Sequence, residues 1–206
     1  KLTINKALAI NPNDPEVLSL LSRLSFNQGN KIAGINTLIQ AIKINPDNTI
    51  LHKQLAIAYI TADEIEKALI EIKTFGRLSK SIEKTQKLYI RAYLQTGDMN
   101  KAIEIANELL INNPQSPEII SLNDNLYAAD NKPQQAREYF NKALEIKNDF
   151  TAAIIGIARL EKSAGNFDIA AKLYKRLVEE NDENITPMIA LSAIARQQRR
   201  KNDMLH

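Results

Sequence analysis

Apolar residues recur at helical spacing along the chain, and short polar turns interrupt them at regular intervals. The stretch from Tyr93 to Pro114 shows the pattern, because Gly97 can end one helix and Asp98 or Asn100 can cap the next. Between Ala102 and Leu110, apolar residues at steps of three and four form one helical stripe. Pro114 then stops the helix, since proline cannot continue the backbone ladder. This pattern predicts two helices joined by a tight turn.

The same punctuation returns every 34 residues. Helix-break residues form one column, small residues a second, tyrosines a third and helix-ending residues a fourth. The columns are Gly29, Asp63, Gly97, Asn131 and Gly165; Gly34, Ala68, Ala102, Ala136 and Ala170; Tyr59, Tyr93 and Tyr127; and Pro12, Pro46, Lys80, Pro114, Asn148 and Asp182. Four columns in one register predict a repeated helix pair, whose apolar stripes are buried only when neighbouring repeats stack.

This unit resembles the tetratricopeptide repeat (TPR), in which helix A and helix B of each repeat pack as a hairpin. The resemblance implies an all-α fold, a right-handed superhelical α-solenoid, extending as a single array over residues 1–206. We expect residues 1–14 to be the remnant of a preceding helix B, with Ala7 at its packing position. A final helix is expected over 185–200, within a truncated sixth repeat at 185–206 whose end from 199 is frayed. The five repeats between them are 15–48, 49–82, 83–116, 117–150 and 151–184.

Two repeats depart from the pattern. In repeat two, Phe75 stands where a small residue is expected, Gly76 follows, and Lys80 replaces the proline. This predicts either a repacked helix with a local bend or a joint that changes the superhelical twist. In repeat four, Asn123 and Asp124 occupy packing positions. Their side chains are expected to bond to nearby backbone or to lean outward, or else to form a polar notch that contacts a ligand.

Catalytic chemistry has little support in the residues. The chain has no cysteine and two histidines, His52 and His206, which are far apart in sequence. No glycine-rich phosphate loop follows a strand. We therefore predict no enzyme activity, no cofactor and no metal site. The mild net charge of +3 does not indicate nucleic acid, and no apolar run is long enough for a transmembrane segment in this fragment.

The TPR resemblance implies a concave groove lined by five positions of each helix A. Among the thirty such positions of this chain, eight are basic and two are acidic. Lys84, Lys87 and Arg91 share one helical face, above an apolar floor. This favours a protein or peptide partner with acidic or carboxylate groups, although the face can equally be a solvated one. The predicted partner-binding residues are Arg23, Lys53, Ile57, Ile60, Lys84, Lys87, Arg91, Leu94, Asn125, Arg159, Lys162 and Arg196.

Two other functions stay open at this point. The repeats can stack with copies of themselves as a homo-oligomer, or the basic groove can bind an anionic polysaccharide. Lys87 and Arg91 resemble half of the carboxylate clamp in chaperone-binding TPR domains. Ser19 and Arg23 do not supply the other half, so we reject a cochaperone function.

A narrower resemblance is to the TPR lipoproteins of the bacterial PEP-CTERM/exosortase system. The stretch from Phe150 to Glu161, FTAAIIGIARLE, carries most of it. It implies a periplasmic or envelope location, with roles in exopolysaccharide export and protein sorting. A lipobox cysteine would support this, and the chain has none. Without that resemblance the expected location is the cytoplasm.

Overall fold

The computed structural model describes residues 11, 13–181 and 183–203, with side chains up to residue 199. Eleven helices follow one another in this part of the chain, and no strand lies between them, which confirms the all-α prediction. Ala7, Pro12, Asp182 and residues 204–206 lie outside it. The helices are α1 (Pro15–Asn27), α2 (Lys31–Ile44), α3 (Thr49–Thr61), α4 (Ile65–Ser79), α5 (Ile82–Thr96), α6 (Met99–Asn112), α7 (Pro117–Ala129), α8 (Pro133–Ile146), α9 (Thr151–Ser163), α10 (Phe167–Glu180) and α11 (Ile185–Asp203).

One backbone motif closes the first helix of each of the five pairs. The helix-break residues all adopt the left-handed conformation, with φ between 56° at Asn131 and 84° at Gly165. The N–H of the following residue then donates to the carbonyl five positions earlier, as from Asp98 to Tyr93 at 2.9 Å. This is the Schellman arrangement, which satisfies carbonyls that a helix end leaves free. The same 2.9 Å bond recurs after Gly29, Asp63, Asn131 and Gly165.

The tyrosine column lies under lysine side chains. Lys67 sits 5.6 Å from the ring centre of Tyr59, and Lys101 sits 5.2 Å from that of Tyr93. Lys101 also bonds to Asp98, which caps α6 by accepting from the Lys101 backbone N–H at 3.2 Å. The backbone N–H of Lys101 and then its ammonium group lower the pKa of Asp98. The turns therefore gain a cation–π contact and an ion pair in addition to the backbone bond.

The chain divides into two compact units, residues 1–105 and 106–206, and the boundary falls inside α6. In unit 1 the core contains Leu38, Leu55 and Ile72. In unit 2 one cluster surrounds Phe140 and another surrounds Tyr174. Extension of a single array over the whole chain stays a prediction.

Phe75 and Gly76 are accommodated within an unbroken helix. Helix α4 runs through both residues to Ser79, and Phe75 is 4% exposed in the core of unit 1. A Cβ on Gly76 would lie 2.9 Å from the Cγ2 of Thr85 on α5. Glycine therefore allows α5 to approach α4 closely. Lys80 ends α4 with a positive φ of 53°. A local bend or a change of superhelical twist here stays a prediction.

The end of the chain differs from the expectation. Helix α11 continues to Asp203, so residues 199–203 are helical and are not frayed. Backbone hydrogen bonding continues there because the sequence from Arg199 to Asp203 has no proline or glycine. None of the helices α1 to α11 combines the length and the apolar character that a membrane span requires.

A close helix contact in unit 2 depends on Gly156. This residue of α9 is buried against the ring of Phe140 on α8. A Cβ built on Gly156 would lie 1.9 Å from the Cε1 of Phe140, well inside any real carbon contact. The large ring therefore fits only because the facing residue has no side chain.

We expect Gly156→Ala to lower the free energy of unfolding by about 2 kcal/mol or more, because the new methyl group collides with Phe140. This exceeds the roughly 1 kcal/mol that alanine gains in helix propensity. Urea denaturation followed by circular dichroism measures the difference. Ser163→Ala, at an exposed site of the same helix, is the control. Phe140→Leu should restore part of the loss in the Gly156→Ala background, and an unchanged Gly156→Ala protein would contradict the contact.

Candidate functional site

A pocket of about 280 Å³ lies in unit 1 between α1 and α3. Its walls include Phe26, Leu38, Ile57 and Ala58. Phe26 belongs to α1 and the last two to α3, while Leu38 comes from α2. The polar groups around them are Ser19, Ser22, Arg23, Gln54 and Thr61. We call this set of nine residues the α1–α3 pocket.

Hydrogen bonds within the protein satisfy three hydroxyl groups of the α1–α3 pocket. Ser19 donates to the side-chain carbonyl of Gln54 at 2.7 Å, which ties α1 to α3. Ser22 donates to the Gly34 carbonyl at 2.8 Å, and Thr61 donates to that of Ile57 at 2.9 Å. The walls therefore present mainly apolar surface, with the Arg23 guanidinium and the Gln54 amide as polar groups near the opening.

Two of the predicted partner-binding residues, Arg23 and Ile57, line this pocket, and the others do not. Arg23 is exposed and Ile57 is half-buried, and both line the α1–α3 pocket. Ile60 is only 2% exposed and belongs to the core, so its assignment to the groove floor is wrong. Helical spacing places Ile57 and Ile60 on the same side of α3, so the neighbouring helices, and not the spacing, decide that Ile60 is covered. Leu94, on α5, is 40% exposed.

Four cations on α1, α3 and α5 form no ion pair within the described residues: Arg23, Lys53, Lys84 and Arg91. All four are exposed. They come from α1, α3 and α5, and α3 and α5 contact each other. We call these four residues the basic face of unit 1.

Lys87 differs from its neighbours on α5. Its ammonium group lies 2.6 Å from the carboxylate of Glu83, one turn earlier, so its charge is compensated. The spacing of four residues between Glu83 and Lys87 was a sequence signal for this pair. Lys84 and Arg91 are therefore the stronger candidates on α5.

The predicted partner-binding residues of unit 2 mainly interact with other groups of the protein. Asn125 donates to the Ser121 carbonyl of its own helix, and Arg196 donates to that of Ser192. Burial raises the pKa of Tyr174, and the nearby Arg159 guanidinium opposes this in part. Lys162 is half-buried in the last turn of α9, where a cation interacts favourably with the helix dipole.

Four lining residues lie outside the predicted groove positions: Ser22, Leu38, Gln54 and Ala58. Gln54 is the one that the sequence signals. The same repeat position carries leucine at Leu20, Leu88 and Leu122, so a polar residue here interrupts an apolar column. Because its side chain bonds to Ser19, it does not fill the space beside Leu38. A glutamine at a repeat position that holds leucine in other repeats was therefore the sequence signal for the pocket.

Comparison with known proteins identifies the repeats. Family models of the tetratricopeptide repeat match residues 15–48 and 127–194. The chain is a tetratricopeptide repeat protein. Proteins of this family are generally non-catalytic scaffolds for protein–protein interaction.

Relatives of this tetratricopeptide repeat protein are distant. "BBSome complex member BBS4" of Bos taurus is 25% identical over 166 residues, which are 81% of this chain and 32% of that protein. The chain thus spans about a third of the length of the curated relatives it matches. The PEP-CTERM resemblance gains no support from these matches and stays a hypothesis.

Solved TPR structures share the fold. The protein TTC0263 of Thermus thermophilus superposes with a TM-score of 0.66 at 18% identity, covering 88% of this chain and 99% of that one. YrrB, described as a TPR protein with an unusual peptide-binding site, gives a TM-score of 0.52 at 11% identity, covering 91% of this chain and 96% of that one. At such identities the likeness concerns the fold alone.

Asn123 and Asp124 are closed to solvent in this TPR protein. Both are 0% exposed, so the predicted ligand-contacting notch is wrong, because no ligand reaches either side chain. Asn123 donates to the carbonyls of Ala106 at 3.1 Å and Ile119 at 3.3 Å, as expected of a side chain that bonds to backbone. Asn123 therefore links α6 to α7 within unit 2.

Asp124 has no such compensation. Neither of its carboxyl oxygens receives a hydrogen bond from the described residues. Burial raises the pKa of Asp124 to about 8. The Asn125 N–H and the Ser121 hydroxyl lower this pKa only in part, since neither meets the geometry of a hydrogen bond to the carboxyl group. The group is therefore a neutral carboxylic acid at neutral pH. The same repeat position holds Ser22 in α1, Ala56 in α3, Ile90 in α5 and Ala158 in α9, and all four are buried.

His52 is a structural residue. It is 6% exposed, with Nδ1 2.6 Å from the Glu71 carboxylate and Nε2 2.8 Å from the Pro46 carbonyl. Through these two contacts the ring joins α3, α4 and the preceding loop. Among the residues that the structure describes, no three His, Cys, Asp or Glu side chains converge as metal ligands.

The raised pKa of Asp124 makes unit 2 sensitive to pH. The folded protein keeps a proton that the unfolded chain releases near the ordinary value of 3.8. This stabilisation is complete below that pH and is lost as the pH rises through about 8, at up to about 1.4 kcal/mol per pH unit.

We expect Asp124→Asn to flatten this dependence, so that the variant gains stability over the wild type as pH rises and the gain levels off above about pH 8. Urea denaturation at a series of pH values measures it. Asp149→Asn, an exposed carboxylate of the same unit, is the control. Parallel stability curves for wild type and Asp124→Asn would contradict the assignment.

Proposed function

We propose that this TPR protein is a scaffold that binds an acidic segment of a partner protein on the basic face of unit 1. The observation that carries the proposal is the set of four exposed cations on α1, α3 and α5 without an ion pair in the described part of the chain. A surface cation without a partner is solvated at little cost and can be neutralised by an incoming carboxylate.

The charges around the basic face favour a negatively charged partner. The only acidic groove position predicted for unit 1 is Glu16, in the first turn of α1, where a carboxylate interacts favourably with the helix dipole. Lys84 and Arg91 are separated by two helical turns on one face of α5. An extended acidic peptide with carboxylates on alternate residues can therefore contact both.

The comparisons fit a binding role of this kind. YrrB is described as having a peptide-binding site, and BBS4 is named as a member of a protein complex. For this chain the partner's identity and an envelope location stay hypotheses, as does binding of an anionic polysaccharide by the same cations.

We expect the double variant Lys84→Glu/Arg91→Glu to bind an acidic probe at least about tenfold more weakly, a loss of about 1.4 kcal/mol. The probe is a fluorescein-labelled peptide in which glutamate alternates with leucine, followed by fluorescence polarisation. Added salt should weaken wild-type binding, because exposed charges are screened. Lys43→Glu/Lys73→Glu makes the same charge change at exposed sites of α2 and α4 and is the control. Equal affinity of both double variants and the wild type would exclude the basic face.

Self-assembly is the second candidate, because α11 carries an exposed apolar face. Ile185 is 66% exposed, Met188 39% and Ile189 62%, and the spacing of three and four residues places them together. Such a face is suited to contact another apolar surface.

If this face mediates self-assembly, the mass measured by light scattering should grow with protein concentration. Ile185→Glu/Ile189→Glu should then keep the protein monomeric, because charged groups resist burial. Ile111→Glu, at a 78% exposed site of α6, serves as the matched variant. A monomeric mass for the wild type at all concentrations would exclude this function.

A further inference from the structure

The α1–α3 pocket has the size and the lining of a binding site for one large apolar group. Its volume of about 280 Å³ exceeds the roughly 150 Å³ at which an apolar cavity in a protein accepts benzene. Phe26, Leu38, Ile57 and Ala58 supply aromatic and aliphatic walls. Exposed residues, Arg23 and Thr61, stand among the lining residues, so the pocket opens to the surface.

The polar atoms of the lining determine what can enter. The hydroxyl groups of Ser19, Ser22 and Thr61 already donate to protein acceptors. Their bonds are kept when an apolar group displaces water, so such a group enters without leaving these donors unpaired. The donors that remain are the Arg23 guanidinium and the Gln54 amide N–H groups, and Arg23 has no carboxylate partner among the described residues.

We propose that the α1–α3 pocket anchors one aromatic side chain of the partner, next to a carboxylate that Arg23 binds. This rests on the proposed function and adds a specificity to it: the partner segment carries an aromatic residue adjacent to an acidic group. The aromatic class is favoured because a guanidinium stacks on an aromatic face and pairs with a carboxylate at the same time. An apolar group without a carboxylate leaves Arg23 uncompensated, and a cationic one is repelled by it.

Three small molecules separate these contributions. The probes are 3-phenylpropionate, 3-phenylpropylamine, which has a similar ring and chain with the opposite charge, and propionate, which lacks the ring. Each is titrated into uniformly ¹⁵N-labelled full chain, and amide chemical shifts are followed by NMR. We expect 3-phenylpropionate to shift amides of α1 and α3 saturably, with a dissociation constant in the millimolar range that suits so small a ligand. The amine should bind at least about fivefold more weakly, and propionate should cause no saturable shift in these helices.

Two variants test the walls and the charge separately. Thr61→Phe adds a ring at the exposed edge of the pocket and should weaken 3-phenylpropionate binding at least about tenfold by occupying its place. Arg23→Gln should bring the affinity for the acid down to that for the amine. Arg77→Gln, an exposed arginine of α4 outside the pocket, is the control for charge. Circular dichroism checks that each variant keeps its helices.

The outcomes distinguish this inference from the proposed function. Absence of saturable shifts in α1 and α3, or equal affinity for acid and amine, overturns the anchor. A second acidic peptide carries one phenylalanine in place of a leucine. If it binds through Lys84 and Arg91 but Thr61→Phe leaves its affinity unchanged, the proposed function is supported and the anchor is excluded. If 3-phenylpropionate binds as described and the acidic peptide does not, the result supports the aromatic anchor and excludes peptide binding by the basic face. A second copy of the chain in the pocket would appear as a dimer that Thr61→Phe abolishes, and would overturn the assignment to a partner.

Discussion

The close approach of helix A to helix B in each pair is the constraint on which the rest of the structure depends. Ala68, Ala102, Ala136 and Ala170 are all 0% exposed, and the helices of Ala68, Ala136 and Ala170 each contact the first helix of their pair. Small residues make that approach possible, and the left-handed residue after each helix A turns the chain sharply enough to achieve it. With these positions fixed, the side chains that pack between successive pairs must be matched in size residue by residue.

That size matching explains both the glycine contact and the pocket. Phe140 fills the space beside Gly156, and the equivalent residues at the first junction are Leu38 and Gln54, which lie 102 residues earlier. There the glutamine bonds to Ser19 and does not fill the space, so the α1–α3 pocket remains. Asp124 is the opposite outcome, in which a polar side chain enters a tight packing position, loses its solvent and becomes a neutral acid. The same need to match side-chain size and polarity between helices therefore accounts for the open α1–α3 pocket and for the pH-sensitive buried Asp124.

The basic face follows from a different condition. Lys84 and Arg91 are exposed, so core packing does not constrain them. How strongly they attract an acidic partner depends on whether a carboxylate of the protein already compensates their charge. Lys87 shows the contrast on the same helix, since Glu83 compensates it at 2.6 Å. Composition alone treats all three cations as equivalent. The paired and unpaired cations differ in what an acidic partner would gain from them.

The sequence by itself determined the helix pairs, their turn residues and the small buried column, because these depend on local backbone conformation and on a period that repeats in register. It also assigned Arg23 and Ile57 to one groove, since they lie 34 residues apart and so hold the same repeat position. Only the tertiary structure decided that Ile60 is core and Ile57 is pocket wall, because helices distant in sequence cover one and leave the other open. The same holds for the burial of Asp124 and for the fit of Phe140 to Gly156, which arise from contacts between elements that the repeat pattern alone does not measure.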